Sequence, residues 1–220
     1  VTETTDRRSY HHGDLRNALV RAAADLAEEG GPEAITIRAA ARIAGVTPTA
    51  TYRHFANQVD LLCAARDDAM ERMAAVIIDL VPPPAPDADP ATVAVDRITA
   101  AGRGYVRFAV EQPGLFRTAF CPVRETDDEV APLDERLAAS PPYAFLSAAL
   151  DGLVDAGLMD PAQRPGAEAG AWAAVHGLSL LLIDGPYRDA DAAARDAVVD
   201  ITLGMVVRGL TGGRADCARR

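Results

Sequence analysis

The side chains best suited to chemistry lie together in one short stretch, GVTPTATYRHFANQ, Gly45 to Gln58. It holds hydroxyls at Thr47, Thr49, Thr51 and Tyr52, a guanidinium at Arg53 and an imidazole at His54, with no carboxylate. Hydroxyl, imidazole and guanidinium groups suit contacts to phosphate oxygens, which a neighbouring carboxylate would oppose. The acid-free window runs from Ala34 to Val59 and adds Arg38 and Arg42, a local charge of +3 in a chain with 32 Asp and Glu. The bland alternative is a polar surface turn with an aromatic knob packed inward.

Elsewhere the reactive side chains do not assemble. His11 and His12 are adjacent, so their side chains diverge, and no third ligand stands at metal spacing. Gly102-Arg103-Gly104 has no third glycine and does not read as a dinucleotide loop, and no G-x-S-x-G nucleophile elbow occurs. Asp151 and Asp155 share a helix face and read as solvated rather than as a catalytic dyad. Cys63, Cys121 and Cys217 are far apart and outside CxxC spacing, as expected of ordinary thiols in a reducing compartment. No catalytic residue, metal or cofactor is expected.

The net charge of −10 excludes a protein coated in nucleic-acid-binding surface. The charge is uneven: residues 1–65 carry 7 Arg against 8 acids, so most of the excess falls on the remainder. A small, nearly neutral head on an acidic body is the pattern. Every basic residue is Arg, a choice that suits bidentate phosphate contacts but reflects codon bias more than function. The N-terminus lacks an apolar segment, and the most apolar run, Ala169–Ile183, is too short to span a bilayer. A soluble, cytoplasmic protein is the expectation.

Helical spacing recurs along the chain and no sustained strand alternation is found, so the fold class is all-α, with about nine helices. Leu15, Leu19, Ala22 and Leu26 mark one face of a first helix, stopped by Gly30-Gly31-Pro32. Thr36 caps a short helix over Ile37–Ala44, Gly45 makes the turn, and Thr47 caps a third helix with Pro48 in its first position. Asn57 and Asp60 open a fourth, running to about Leu80. Val81–Pro90 holds five of the 15 prolines and reads as a loop. Further helices are expected over Thr92–Glu111, Pro142–Ala156, Ala167–Ile183 and Ala190–Leu210, with a short apolar piece at Leu115–Phe120 and a loop through 121–140. The last helix is apolar nearly all round, as when a second subunit buries it.

A short helix, a glycine turn and another short helix form the helix-turn-helix plan, whose second helix enters a major groove. The segment ITIRAAARIAGVTPTATYRHFANQVDLL, and its GVxxxxxYRHF core most specifically, resembles the DNA-binding domain of the tetracycline-repressor family of transcriptional regulators. The resemblance covers about residues 10–65. It implies a DNA-binding head over 1–57 and a helical ligand-binding and dimerisation body over 58–220, dimerising mainly through the last two helices. By position, Arg38 and Thr49 would lie near bases, Thr36, Tyr52 and His54 near phosphates, and Thr47, Pro48, Ala50 and Arg53 at the groove. Val46 and Phe55 look like core. Two positions depart from the family: Gln58 stands where Lys is common, and Thr51 where an apolar residue is usual. Arg7, Arg8 and Tyr10 would form either a DNA-contacting arm or a plain tail.

In the body, AWAAVHGLSLLL resembles a C-terminal domain named for its Trp-His-Gly residues, and YVRFAVEQPGLFRTAF fits the same subset. Trp172 and His176 are four residues apart and share a helix face. They could line an inducer site with Tyr105, Phe108, Phe116 and Phe120, or these aromatics are simply core. The resemblance implies a homodimeric repressor released from a palindromic operator by a small molecule. The rival reading is a helical-body enzyme or small-molecule-binding protein whose helix-turn-helix is only structural.

Overall fold

The computed structural model describes the backbone of residues 6–122 and 133–212, and most side chains from Leu15 onward. Ten α-helices follow one another in these residues, with no strand among them. They are α1 (Asp6–Gly30), α2 (Ile37–Ile43), α3 (Pro48–Thr51), α4 (Gln58–Asp79), α5 (Pro90–Glu111), α6 (Pro113–Ala119), α7 (Leu133–Ala138), α8 (Pro141–Asp155), α9 (Ala167–Ile183) and α10 (Ala192–Thr211). Single 3-10 turns lie at Pro32–Ala34 and Pro161–Gln163.

Packing divides the chain into two units: Val1–Met70 with Gln112–Val130, and Glu71–Glu111 with Ala131–Arg220. α4 is one continuous helix with residues in both. The functional boundary expected at 57/58 therefore differs from the packing boundary, because α6 belongs with α1. Gly114 explains that placement: a Cβ there would stand 2.0 Å from the carbonyl oxygen of Ala27. Only glycine lets α6 lie so close to the end of α1.

In the first unit α1 buries Leu19, Ala22, Ala23, Leu26 and Ala27, the stripe its spacing predicts. Ile35, Ile37, Ala40, Ala41 and Phe55 close over it, with Leu61 and Ala65 of α4 and Leu115 and Phe116 of α6 also buried. In the second unit, Ala94, Val95 and Ile98 of α5 form a core with Ala149, Leu150 and Leu153 of α8 and with Leu158 and Met159.

Most helix starts are set by local chemistry. Asp89 caps α5 by accepting from the Thr92 N–H at 3.2 Å, with Pro90 as the first helical residue. α5, α6 and α8 each begin at a proline, slightly ahead of the starts expected from apolar spacing. Arg7, Arg8, Tyr10, His11 and His12 lie on the backbone of α1, which starts at Asp6, and their side chains are outside the described residues. The expected loop at 121–140 is outside the described residues from 123 to 132, and α7 occupies part of the rest. Cys217 is likewise outside them.

Candidate nucleic-acid interface and the polar network of the body

The helix-turn-helix is built from local hydrogen bonds. Thr36 accepts from the Ala39 N–H at 3.1 Å and opens α2. α2 ends at Gly45, whose φ of +69° suits glycine. There Val46 N–H reaches the Ala41 carbonyl at 2.9 Å and Gly45 N–H the Arg42 carbonyl at 3.3 Å. This pair of bonds is the Schellman arrangement, and it fixes the direction in which the chain leaves α2. Thr47 then accepts from the Ala50 N–H at 3.2 Å and opens α3. Asn57 and Asp60 cap α4 reciprocally: Asn57 accepts from the Asp60 N–H, and Asp60 from the Ala56 N–H, each at 2.9 Å.

The result is a surface of the expected type. Arg38, Thr47, Pro48, Thr49, Tyr52 and Arg53 are exposed, while Thr36, Ala50 and His54 are half-buried. Tyr52 is 56% exposed, unusual for an aromatic ring with no partner surface. α3 itself has only four residues, but the winding continues through His54 N–H to the Thr51 carbonyl at 2.9 Å. Thr36 and Thr47 spend an oxygen lone pair on capping and keep a hydroxyl hydrogen that can be donated outward. Phe55 is buried, as expected of core, and Val46 is half-buried.

Two features of this unit were not read from the sequence. The Arg16 guanidinium lies over the Phe55 ring, 5.3 Å from its centre, joining α1 to the end of the recognition segment. Its signal is a pairing across 39 positions, invisible to local spacing. Thr51 is fully buried, and its hydroxyl has no hydrogen-bond partner among the described residues. The departure from an apolar residue at this position therefore leaves an unsatisfied polar group beneath α3.

The aromatics expected in an inducer site divide. Tyr105, Trp172 and His176 are brought together by hydrogen bonds: the Trp172 indole N–H donates to Tyr105 Oη at 3.0 Å, and Tyr105 Oη lies 2.7 Å from His176 Nδ1. Tyr143 meets Trp172 edge to face, at 6.4 Å between ring centres. Phe116 and Phe120 pair with each other at 5.0 Å and belong to the first unit. Phe108 is fully buried.

Burial pushes the Tyr105 phenol well above its ordinary range, an effect the Trp172 hydrogen bond partly opposes, and burial pushes His176 down. Both are thus neutral near pH 7. Indole can only donate, so the phenol oxygen accepts there and its hydrogen is available to Nδ1, the tautomer with hydrogen on Nε2.

A second polar cluster adjoins on α9. Arg164 donates from Nε to Asp151 at 2.7 Å and from Nη1 to Glu168 at 2.7 Å, while Ser147 donates to Glu168 at 3.0 Å. Burial alone would raise the Glu168 carboxyl. The hydrogen bonds from backbone, Arg164 and Ser147, with the Arg164 charge, outweigh it and hold the group below the usual carboxylate range. Asp151 is thus an ion-pair partner rather than a merely solvated acid. Glu168, Trp172 and His176 are spaced by four, so a polar seam runs down an otherwise apolar helix. Among the described residues no cluster of His, Cys, Asp and Glu could hold a metal ion, and no helix is long and apolar enough to cross a membrane.

The profile of bacterial regulatory proteins of the tetR family matches residues 19–65, and that of the tetracyclin repressor-like C-terminal domain matches residues 98–206. No curated protein matches the chain. Among solved structures, a protein of unknown function from Rhodococcus sp. RHA1 is 27% identical, with 92% of this chain and 98% of that one covered and a TM-score of 0.65. A TetR family transcription regulator from Marinobacter aquaeolei VT8 is 18% identical, covering 90% and 96%, with a TM-score of 0.62. The transcriptional regulator FadR from Bacillus subtilis, in complex with stearoyl-CoA, is 15% identical, covering 87% and 97%, with a TM-score of 0.61. Matched at both its helix-turn-helix and its helical body, the chain belongs to the tetracycline-repressor family of bacterial transcriptional regulators.

Proposed function

We propose that this regulator is a homodimeric repressor that holds a palindromic operator with its two helix-turn-helix segments and releases it when a small molecule binds the body. The observation that carries the DNA-binding reading is the exposed, acid-free segment from Thr47 to His54. Thr49 and Arg38 face bases in this reading, Thr36, Tyr52 and His54 face phosphates, and Thr47, Pro48, Ala50 and Arg53 sit at the groove. The head is functional through residue 57 and the body follows from 58.

Dimerisation is supported by α9 and α10, which expose Leu180, Leu181, Ile201 and Met205 in the single chain. Water-facing apolar residues on two adjacent helices suit a twofold copy of the same surface. A ligand is supported by the polar network at Tyr105, Trp172 and His176, and by the stearoyl-CoA that the similarly folded FadR holds. Phe108, Phe116 and Phe120 are further candidates. The cytoplasm is the natural compartment for such a regulator.

Selection of binding sites from random DNA by the purified protein tests the reading. A palindrome with half-sites one helical turn apart is expected. Tyr52→Ala and His54→Ala should weaken binding to selected and random duplexes alike, as the loss of phosphate contacts does. Arg38→Ala or Thr49→Ala should relax sequence preference by about 1–3 kcal/mol at a position. Failure to enrich any sequence, with all four variants binding as wild type, refutes the assignment.

A further inference from the structure

Arg16 lies on α1 one turn before Leu19, at the end of the stripe that Leu19, Ala22, Ala23 and Leu26 bury. A side chain in that register covers the edge of the core, and the edge here is Phe55. The Phe55 ring is 3% exposed, and the Arg16 guanidinium lies over it, 5.3 Å from its centre. The surface arginines of the head also differ from those of the body in their partners. Arg103, Arg107 and Arg164 each meet a carboxylate. Arg16, Arg38, Arg42 and Arg53 are exposed, and among the described residues none of them pairs with one.

Resting on the DNA-binding reading above, we propose that Arg16 is a further phosphate contact of this regulator, carried to the recognition surface by α1 rather than by the helix-turn-helix. A ring attracts a guanidinium through its charge and takes none of its N–H donors in a hydrogen bond. A carboxylate partner would cancel the charge. Stacking leaves it whole and confines the side chain, so less freedom is lost when a phosphate is gripped. Phe55 directly follows His54, which places the cation at the end of the segment that runs from Thr47. It adds a fourth positive charge to the three of the acid-free window, from a helix outside that window. Base edges meet the N-terminal residues of a recognition helix, and Phe55 lies beyond the other end of α3, so the partner is backbone and not base.

The test titrates full-length protein against a duplex selected by the wild type and against a random duplex, by fluorescence anisotropy over a range of salt concentrations. Melting temperature checks folding. Arg16→Gln keeps part of the stem over Phe55 and removes the charge. It should weaken binding to both duplexes about tenfold and lower the log–log salt slope by about 0.9 for each head engaged. Arg16→Lys keeps the charge and should recover the wild-type slope. A folded Arg16→Gln protein with the wild-type slope overturns the proposal, because a residue that only covers Phe55 leaves the slope alone. A Lys variant with the slope of the Gln variant overturns it too, since the loss is then not one of charge. So does a loss confined to the selected duplex, the mark of a base contact. If Tyr52→Ala weakens binding while Arg16→Gln does not, the DNA-binding reading stands and Arg16 has no part in it. Wild-type protein that selects no duplex removes both.

Discussion

The first unit keeps its polar side chains at the surface and fixes them with bonds spanning three or four residues, as at Thr36, Thr47, Asn57 and Asp60. The second unit draws polar groups inward and satisfies them between helices, as at Tyr105 with His176 and Ser147 with Glu168. A surface that meets DNA needs donors facing outward on a rigid local frame. A body that answers a ligand needs polar groups whose partners can be exchanged. Each unit has instructive exceptions: Thr51 and Thr118 are buried hydroxyls in the first, and Ile201 and Met205 are exposed apolar residues in the second.

The head's rigidity is most easily broken at Gly114. An added methyl would meet the Ala27 and Glu28 carbonyl oxygens, which are backbone and cannot rotate away. Gly114→Ala should cost about 3 kcal/mol, at the upper end of overpacking penalties, and chemical denaturation should report it. A variant within about 0.5 kcal/mol, as an ordinary surface change would be, would mean that α6 is not tightly seated on α1.

The apolar exposure of the body gives the next largest effect. Met205 is 62% exposed in the single chain, whereas Val199 on the same helix is buried. Asp at Val199 would damage the core, so Met205→Asp is the cleaner probe of an interface. It should yield monomers of near-normal melting temperature and weaken operator binding by about two orders of magnitude, since one head alone loses the effective concentration supplied by the second. Dimers of unchanged operator affinity would place the interface elsewhere.

Local chemistry is what the sequence makes legible. Thr36 and Thr47 as caps, Gly45 as the turn and Asn57 with Asp60 at the start of α4 were all readable, because each motif closes within five residues. The bounds of α9 were readable from its apolar run. Gly104 and Gly114 were not, because each is required by a backbone brought from another helix. Phe116 and Phe120 follow Tyr105 closely in sequence, but Pro113 starts a new helix there and that helix packs in the first unit, which no local spacing announces. Arg164 was missed for a related reason: its partners Asp151 and Ser147 lie on a different helix.

Thr51 offers a smaller, stabilising change. Replacing it with Val preserves shape while removing a hydroxyl that finds no partner among the described residues. The expected gain is about 1 kcal/mol, the lower range for relieving a buried unsatisfied group. DNA binding should be little altered, since the side chain is not at the surface. A loss of stability on this substitution would show that the hydroxyl is in fact satisfied.

The smallest effect expected is a pH dependence of the body. Burial holds His176 below its ordinary value, so the unfolded chain takes up a proton on that imidazole before the folded chain does. Stability is then undiminished above about pH 6.5, the ordinary histidine value, and falls as the pH drops through it towards the lower folded value. Glu168 acts in a separate, more acidic window: its folded value is depressed, so its contribution is present above the ordinary carboxylate range and is lost as the pH falls through the folded value. Protonated His176 also has to donate from Nδ1, which turns the Tyr105 hydroxyl away from its acceptor. His176→Gln should therefore flatten the melting-temperature profile between about pH 7 and 5.5 while leaving the more acidic decline in place. Should the decline in that upper window persist in His176→Gln, the proton is taken up elsewhere and the buried, neutral imidazole at His176 is not its source.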